Sequence, residues 1–224
     1  MKYIKYNSYT FGHEGLTEED LPKIVGKLEE VESEASGVLT GRASVAKVEL
    51  PEIGPVIIKS YKRGGLLRHL NRATYMRLGV SRCESEYNYL VTAAKYGVNV
   101  PKPVAFVRRG FLFCRYWLAL EEIENCESLT QISTDDPNRT KDLMLILMEQ
   151  VKKLMDQSIY HVDLHPGNIL VDRNDKVYII DFDKAHMTKL SYNDLLVKYT
   201  QRWVRAVKKY NLPDVLIEKF RISQ

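Results

Sequence analysis

Cysteine is scarce, and what there is falls in no ligating pattern. Only Cys83, Cys114 and Cys126 occur in 224 residues, with no C-x-x-C pair, so neither a disulfide framework nor a zinc site is expected and a reducing compartment suits the chain. Long apolar runs are missing too. FLFCRYWLAL is interrupted and LMLILM is short, against the roughly 20 residues that a helix needs to cross a bilayer. The opening MKYIKYNSYTFGHEG has no apolar signal core, and the expected location is therefore cytoplasmic. Acid is absent from one stretch. Residues 59–82 hold seven bases (Lys59, Lys62, Arg63, Arg68, Arg72, Arg77, Arg82) and no Asp or Glu, whereas residues 1–34 hold eight acids and four bases. Such asymmetry within a net charge of only +4 points to an anionic partner, with a solvated basic face as the plain alternative.

No repeat or low-complexity segment divides the chain, so organisation is read from pattern. Residues 1–34 stand apart as an accessory segment. GVLTGRASVAKVELPEIGPVIIKSY, broken by Gly and Pro, predicts three antiparallel strands. In SRCESEYNYLVTAAKYG, Tyr87, Leu90, Val91 and Ala94 recur at helical spacing before a Gly stop. VAFVRRGFLFCRYWLAL adds two strands, and after a polar stretch the segment KDLMLILMEQVKKLMDQ predicts a second long helix. Strands with one helix first, then mostly helices, predict an α+β protein. Its sheet-rich N-terminal lobe would span 35–120 and its mainly helical, compact C-terminal lobe 121–224.

The chemistry concentrates in YHVDLHPGNILVDRNDKVYIIDFD. Asp163 is followed five residues later by Asn168, and two short apolar strands then end in Asp181. Phosphoryl transfer needs a carboxylate beside the acceptor hydroxyl and oxygen ligands for the Mg²⁺ that bridges nucleotide phosphates. Asp163 suits the first role, and Asn168 and Asp181 the second. Asp172 and Asp175 read as ordinary turn residues, and His161 and His165 as side chains that steady the loop.

This stretch resembles a protein-kinase catalytic loop. His161-Val162-Asp163 stands where protein kinases have H-R-D, and Asp181-Phe182-Asp183 where they have D-F-G. The resemblance implies a protein-kinase-like bilobal fold, ATP and Mg²⁺ as cofactors, a strand lysine on the α- and β-phosphates and a helix glutamate fixing it. Lys59, ending VIIKSY, fits the lysine. Glu86 fits the glutamate, with Glu84 as its competitor. The full G-x-G-x-x-G of such folds is absent: Gly37 and Gly41 remain, and Gly41 is the candidate for backbone approach to phosphate, or else a hairpin turn. Arg42 and Ser44 are candidates only by neighbourhood. Adenine would be read by backbone groups around Glu121 to Ile123, at the junction of the lobes.

A narrower resemblance follows from Arg63 to Leu66 (R-G-G-L) after the strand lysine, Arg82 before Glu86-Tyr87, Val100 to Pro103 (V-P-K-P) and the D-F-D ending. Together these are similar to the bacterial lipopolysaccharide core kinases, most closely those acting on 3-deoxy-D-manno-octulosonic acid (Kdo), over about residues 37–185. The resemblance implies transfer to a hydroxyl of Kdo, the 4-hydroxyl, on a Kdo-lipid A or inner-core acceptor. Nucleic acid is not an expected partner. Only 43 residues follow Asp181, which is short for a peptide-docking platform and favours a glycolipid acceptor. An acidic sugar on phosphorylated lipid would also account for the basic run, with peripheral attachment to an anionic inner-membrane surface. Leu196, Tyr199, Trp203, Val207 and Tyr210 recur at helical spacing beside Arg202, Arg205, Lys208 and Lys209, as a core-packing helix with a basic edge or a membrane-surface helix. A heptose kinase, a compact RIO-like atypical protein kinase and a non-catalytic kinase-fold binding module remain as alternatives.

Overall fold

The computed structural model describes residues 1–35, 45–61, 75–76, 80–218 and 220. Gly37, Gly41, Arg42 and Ser44 lie outside the described residues, as do Lys62, Arg63, Arg68, Arg72 and Arg77 of the basic run. Two compact units are present, one of Met1–Tyr87 with Lys102–Glu122 and one of Asn88–Pro101 with Ile123–Gln224.

The first unit is built on an antiparallel sheet. Its strands are β1 (Lys2–Tyr6), β2 (Tyr9–His13), β3 (Val45–Leu50), β4 (Gly54–Ser60), β5 (Tyr75–Met76), β6 (Pro103–Arg109) and β7 (Phe113–Glu121), in the order β1-β2-β6-β7-β4-β3, with β5 also pairing β7. The first residues, to which the sequence assigned no elements, thus supply two strands of the sheet and the helix α1 (Asp20–Ala35). Asn7 enters the left-handed region at φ 53°, which lets the two-residue turn between Tyr6 and Tyr9 close the hairpin. Opposite Phe106, residue 12 has to be glycine, because a Cβ there would lie 2.2 Å from the Phe106 ring.

In α1, Leu21, Ile24, Val25 and Leu28 recur every three or four residues and are all buried. That stripe joins Leu50, Val56, Ile58 and Trp117 in one hydrophobic cluster. Alternation along β4 sends Val56 and Ile58 into this core and leaves Lys59 on the opposite face of the strand. The helix α2 (Arg82–Lys95) begins on the Ser81 hydroxyl, which accepts the Glu84 N–H at 3.1 Å. It stops at Gly97 (φ 75°), where Val98 N–H reaches back to Ala93 O at 3.0 Å.

Helices dominate the second unit. After β8 (Glu127–Ser128) come α3 (Leu129–Asp135), α4 (Pro137–Asp156), β9 (Ile159–Tyr160), β10 (Ile169–Val171), β11 (Val177–Ile179), β12 (His186–Met187), α5 (Tyr192–Lys209) and α6 (Val215–Glu218). The polar stretch after Glu121 therefore contains a helix, α3, capped by Ser128 and anchored by buried Leu129 and Ile132. Asp136 caps α4, accepting from the N–H groups of Asn138 and Arg139, with Pro137 in the first turn. Buried Leu143, Leu147, Val151 and Leu154 line one face of α4.

On α5 the buried residues are Leu195, Tyr199, Trp203, Ala206 and Val207, whereas Tyr210 is exposed. Trp203 stacks on Phe220 at 4.5 Å and donates its indole N–H to Leu216 O at 2.8 Å. The apolar face of α5 is thus packed inside its own unit, as a core helix. No described helix is long and apolar enough to cross a membrane.

Candidate active site

Lys59 and Glu86 meet within the first unit. Lys59 Nζ lies 3.2 and 3.3 Å from the two Glu86 oxygens. Glu86 is 1% exposed and also accepts from the Tyr61 hydroxyl. A carboxylate so buried needs a cation and hydrogen bonds to remain charged, and Lys59 on β4 and Tyr61 just after it supply them. Glu84, two residues earlier and therefore on the other side of α2, accepts instead from the Tyr3 hydroxyl at 3.1 Å near the surface. Glu121 closes β7, with its N–H on Lys102 O at 2.9 Å and its carboxylate on the Lys102 amine at 2.6 Å. Ile123 is half-buried and begins the longer of the two segments of the second unit.

Asp163, Asn168 and Asp181 are gathered within the second unit by a short hairpin. Antiparallel pairing of Ile169 with Ile179 and Val171 with Val177 makes Asn168 and Ile180 the next facing pair, and Ile180 N–H indeed donates to Asn168 O at 3.0 Å. Asp181 follows at once, in the left-handed region at φ 65°. A non-glycine residue held there is strained, and strain of that kind clusters at functional sites. A 3-10 turn, Pro166–Asn168, turns the loop back. Asn168 Nδ2 donates to Asp163 O at 3.0 Å. That bond ties its NH₂ group to the loop backbone and leaves the carbonyl oxygen as the acceptor end of the amide.

The two histidines serve the loop. His161 is buried beneath the Phe182 ring, 4.7 Å away and edge-on. Its Nε2 contacts Ile180 O at 3.0 Å, which requires the proton on Nε2, and burial holds the imidazole below its ordinary pKa despite the opposing pull of that bond and of Asp181. His161 is therefore a neutral strut. Its N–H of the main chain donates to the Tyr199 hydroxyl, which in turn donates to Ile159 O, both at 2.8 Å. His165 Nδ1 accepts from Gly167 N–H at 3.1 Å.

Two cations that sequence reasoning did not place here reach Asp163. Lys184 Nζ is 2.6 Å from Oδ2, and Arg202 Nη2 is 3.1 Å from Oδ1. Burial raises the Asp163 pKa, but the hydrogen bond and charge of Lys184, then the charge of Arg202, outweigh it and hold the carboxyl below its ordinary value. Asp163 is thus an anion throughout the neutral range. Lys184 follows D-F-D directly, a position that could have flagged it, whereas Arg202 lies 39 residues along the chain from Asp163 and reads as one more basic helix-edge residue.

As a donor set, Asn168 and Asp181 fit Mg²⁺, which takes one or two protein oxygens and completes its shell with water and phosphate. No group of three His, Cys, Asp or Glu gathers among the described residues, so a closed, all-protein metal cage is not what these residues build.

Comparison with known proteins identifies a family. The model of the lipopolysaccharide kinase (Kdo/WaaP) family matches residues 26–195. The 3-deoxy-D-manno-octulosonic acid kinase of Vibrio parahaemolyticus is 31% identical over 181 residues, covering 79% of this chain and 74% of the relative. That of Photobacterium profundum is 35% identical over 136 residues, covering 59% and 57%. Among solved structures, a kinase of Cydia pomonella granulovirus is similar with a TM-score of 0.48 and 16% identity, over 74% of this chain and 58% of that one. The chain, an α+β protein, belongs to the lipopolysaccharide kinase (Kdo/WaaP) family of phosphotransferases.

Proposed function

We propose that the protein transfers the γ-phosphate of ATP to the 4-hydroxyl of a Kdo residue in the lipopolysaccharide inner core, as on Kdo-lipid A. The observation that carries this reading is the second-unit constellation of Asp163, Asn168 and Asp181, in a chain whose relatives are named as Kdo kinases. Asp163 accepts a hydrogen bond from the acceptor hydroxyl and takes its proton as the oxygen bonds to the γ-phosphorus and the bond to the β-phosphate oxygen breaks. Asn168 and Asp181 would hold Mg²⁺, which when bound would supply positive charge to offset that of the transferring phosphate. Lys59, kept in place by Glu86, binds the α- and β-phosphates. Backbone groups around Glu121 to Ile123 read the adenine edge; Gly41, the candidate for backbone approach to phosphate, lies outside the described residues. In domain terms, residues 35–120 carry the nucleotide-binding sheet and helix, and 121–224 the catalytic loop, the metal site and the C-terminal helices. Phosphorus–proton correlation NMR of the purified product tests the position: coupling of the new phosphate to the proton on C4 is expected, and coupling elsewhere on the Kdo ring contradicts the 4-hydroxyl.

A lipid-linked acceptor places the work at a membrane surface, and peripheral attachment to the cytoplasmic face of the inner membrane is part of the proposal. The turn joining β6 and β7 supports it, because Phe111 is 77% exposed and Leu112 and Phe113 are each 64% exposed. Arg108, Arg109 and Arg115 stand on the two strands just behind that apolar tip, where Arg109 faces Arg115 and both share Glu32 at 2.8 Å, leaving a net positive charge. Apolar side chains backed by cations suit an interface of anionic headgroups. Vesicles containing anionic lipid should sediment the protein and release it as salt rises, since exposed charges are screened beyond about 10 Å at 0.1 M. Replacing Phe111 and Leu112 with Ser should weaken that binding. Equal binding to neutral vesicles, without salt dependence, contradicts the proposal.

A further inference from the structure

In the proposed reaction the acceptor hydroxyl must reach Asp163, yet both of its carboxylate oxygens already face a cation. Lys184 engages Oδ2 and Arg202 engages Oδ1. Two positive charges on one carboxylate are more than its own neutralisation requires. Arg205 and Lys209 add to the positive field around the neighbouring Tyr160 and His165. On the same segment as Lys184, Asp181 and Asp183 have partners of their own, and Asp181 is committed to the metal in the proposed reaction. Stability does not account for the arrangement either. The Lys184 side chain is 57% exposed, and an ion pair at that exposure contributes little to folding.

We propose that Lys184 and Arg202 form an anion subsite that recognises the carboxylate of the acceptor sugar. The inference rests on the Kdo reading above and deepens it. Kdo is an ulosonic acid, with its carboxylate on the ring carbon two bonds from C4, so a sugar offering its 4-hydroxyl to Asp163 brings a carboxylate to the same neighbourhood. Lysine carries its charge on a flexible stem, and the planar guanidinium of arginine suits a carboxylate. When the acceptor binds, Lys184 and Arg202 turn part of their hydrogen bonding to the substrate carboxylate. An Asp163 lone pair is thereby released to the hydroxyl, and the cations that weakened Asp163 as a base are partly neutralised as it takes the proton. The γ-phosphate is the other anion in reach of this chemistry. Its charge is already met in the proposed reaction by Lys59 and by the metal on Asn168 and Asp181, which favours the acceptor.

Steady-state kinetics with Kdo-lipid A and with its carboxyl-reduced, uncharged analogue test the assignment. Wild-type protein should show a KM for the reduced acceptor raised about 10- to 100-fold, the size of a charge-assisted hydrogen bond. Lys184→Met and Arg202→Gln should raise KM for the native acceptor by a similar factor and discriminate little between the two acceptors. Lys184→Arg should recover most of the loss, and the KM for ATP should stay within about twofold. Thermal melting checks folding, and Lys184→Met, at an exposed position, keeps the test open if Arg202→Gln is unstable. A fall in kcat equal on both acceptors with KM unchanged overturns the subsite and leaves these residues only orienting Asp163. A raised KM for ATP overturns it in favour of the γ-phosphate. Wild-type protein that modifies neither acceptor contradicts the proposed function itself, and the subsite falls with it.

Discussion

Asp163→Asn is expected to lower turnover by about two to four orders of magnitude, the usual contribution of a positioned general base, while Mg-ATP still binds. The amide keeps the shape of the side chain and can accept one hydrogen bond, but it cannot take the proton of the acceptor hydroxyl. The nucleotide side of the site is untouched, since Lys59 remains on Glu86 and Asn168 still donates to the main-chain oxygen of residue 163. The substitution strips the counter-charge from Lys184 and Arg202, whose side chains are 57% and 30% exposed; water replaces most of that interaction, so the melting temperature should move little. Single-turnover rates beside nucleotide titrations separate the two effects. Near-normal turnover on the true acceptor would remove Asp163 from the chemistry.

Asp181→Asn should show the opposite pattern, with the Mg²⁺-dependent part of nucleotide affinity falling by about 10- to 100-fold or more. Replacing a residue that only hydrogen-bonds to a metal ligand already costs that much. Asn is the informative replacement because Asp181 sits at φ 65°, a conformation that Asn tolerates and Ala does not. The variant therefore removes charge without adding backbone strain. Calorimetry with ATP, with and without Mg²⁺, reads the effect directly. An unchanged difference between the two conditions would take Asp181 out of the metal site.

Much of this was visible in the residues alone, for physical reasons that also explain the gaps. Asp163, Asn168 and Asp181 lie within one short segment, and a hairpin register fixes their relation, so spacing was enough to bring them together. Lys59 and Glu86 are farther apart, 27 residues, and it was the kinase resemblance, not spacing, that paired them and left Glu84 as the competitor. Lys184 and Arg202 were not legible as partners of Asp163: their contacts depend on how α5 packs, and exposed cations are commonplace on helix edges. The first 35 residues hid their structure because β1 is mostly exposed and a short half-buried hairpin gives a weak apolar pattern. Seven-residue α3 is too short for a period to repeat. On α5 the helix was clear but its phase was not, with Leu195 buried and Leu196 half-buried, a difference that only the packing partners decide.

Mass spectrometry of Kdo-lipid A after incubation with purified protein and Mg-ATP tests the central claim most directly. One added phosphate, carried on the Kdo fragment and missing with Asp163→Asn, is the expected result. Unmodified glycolipid in the presence of phosphorylated protein substrates, or phosphate found on a heptose of a longer acceptor and never on Kdo, would contradict it.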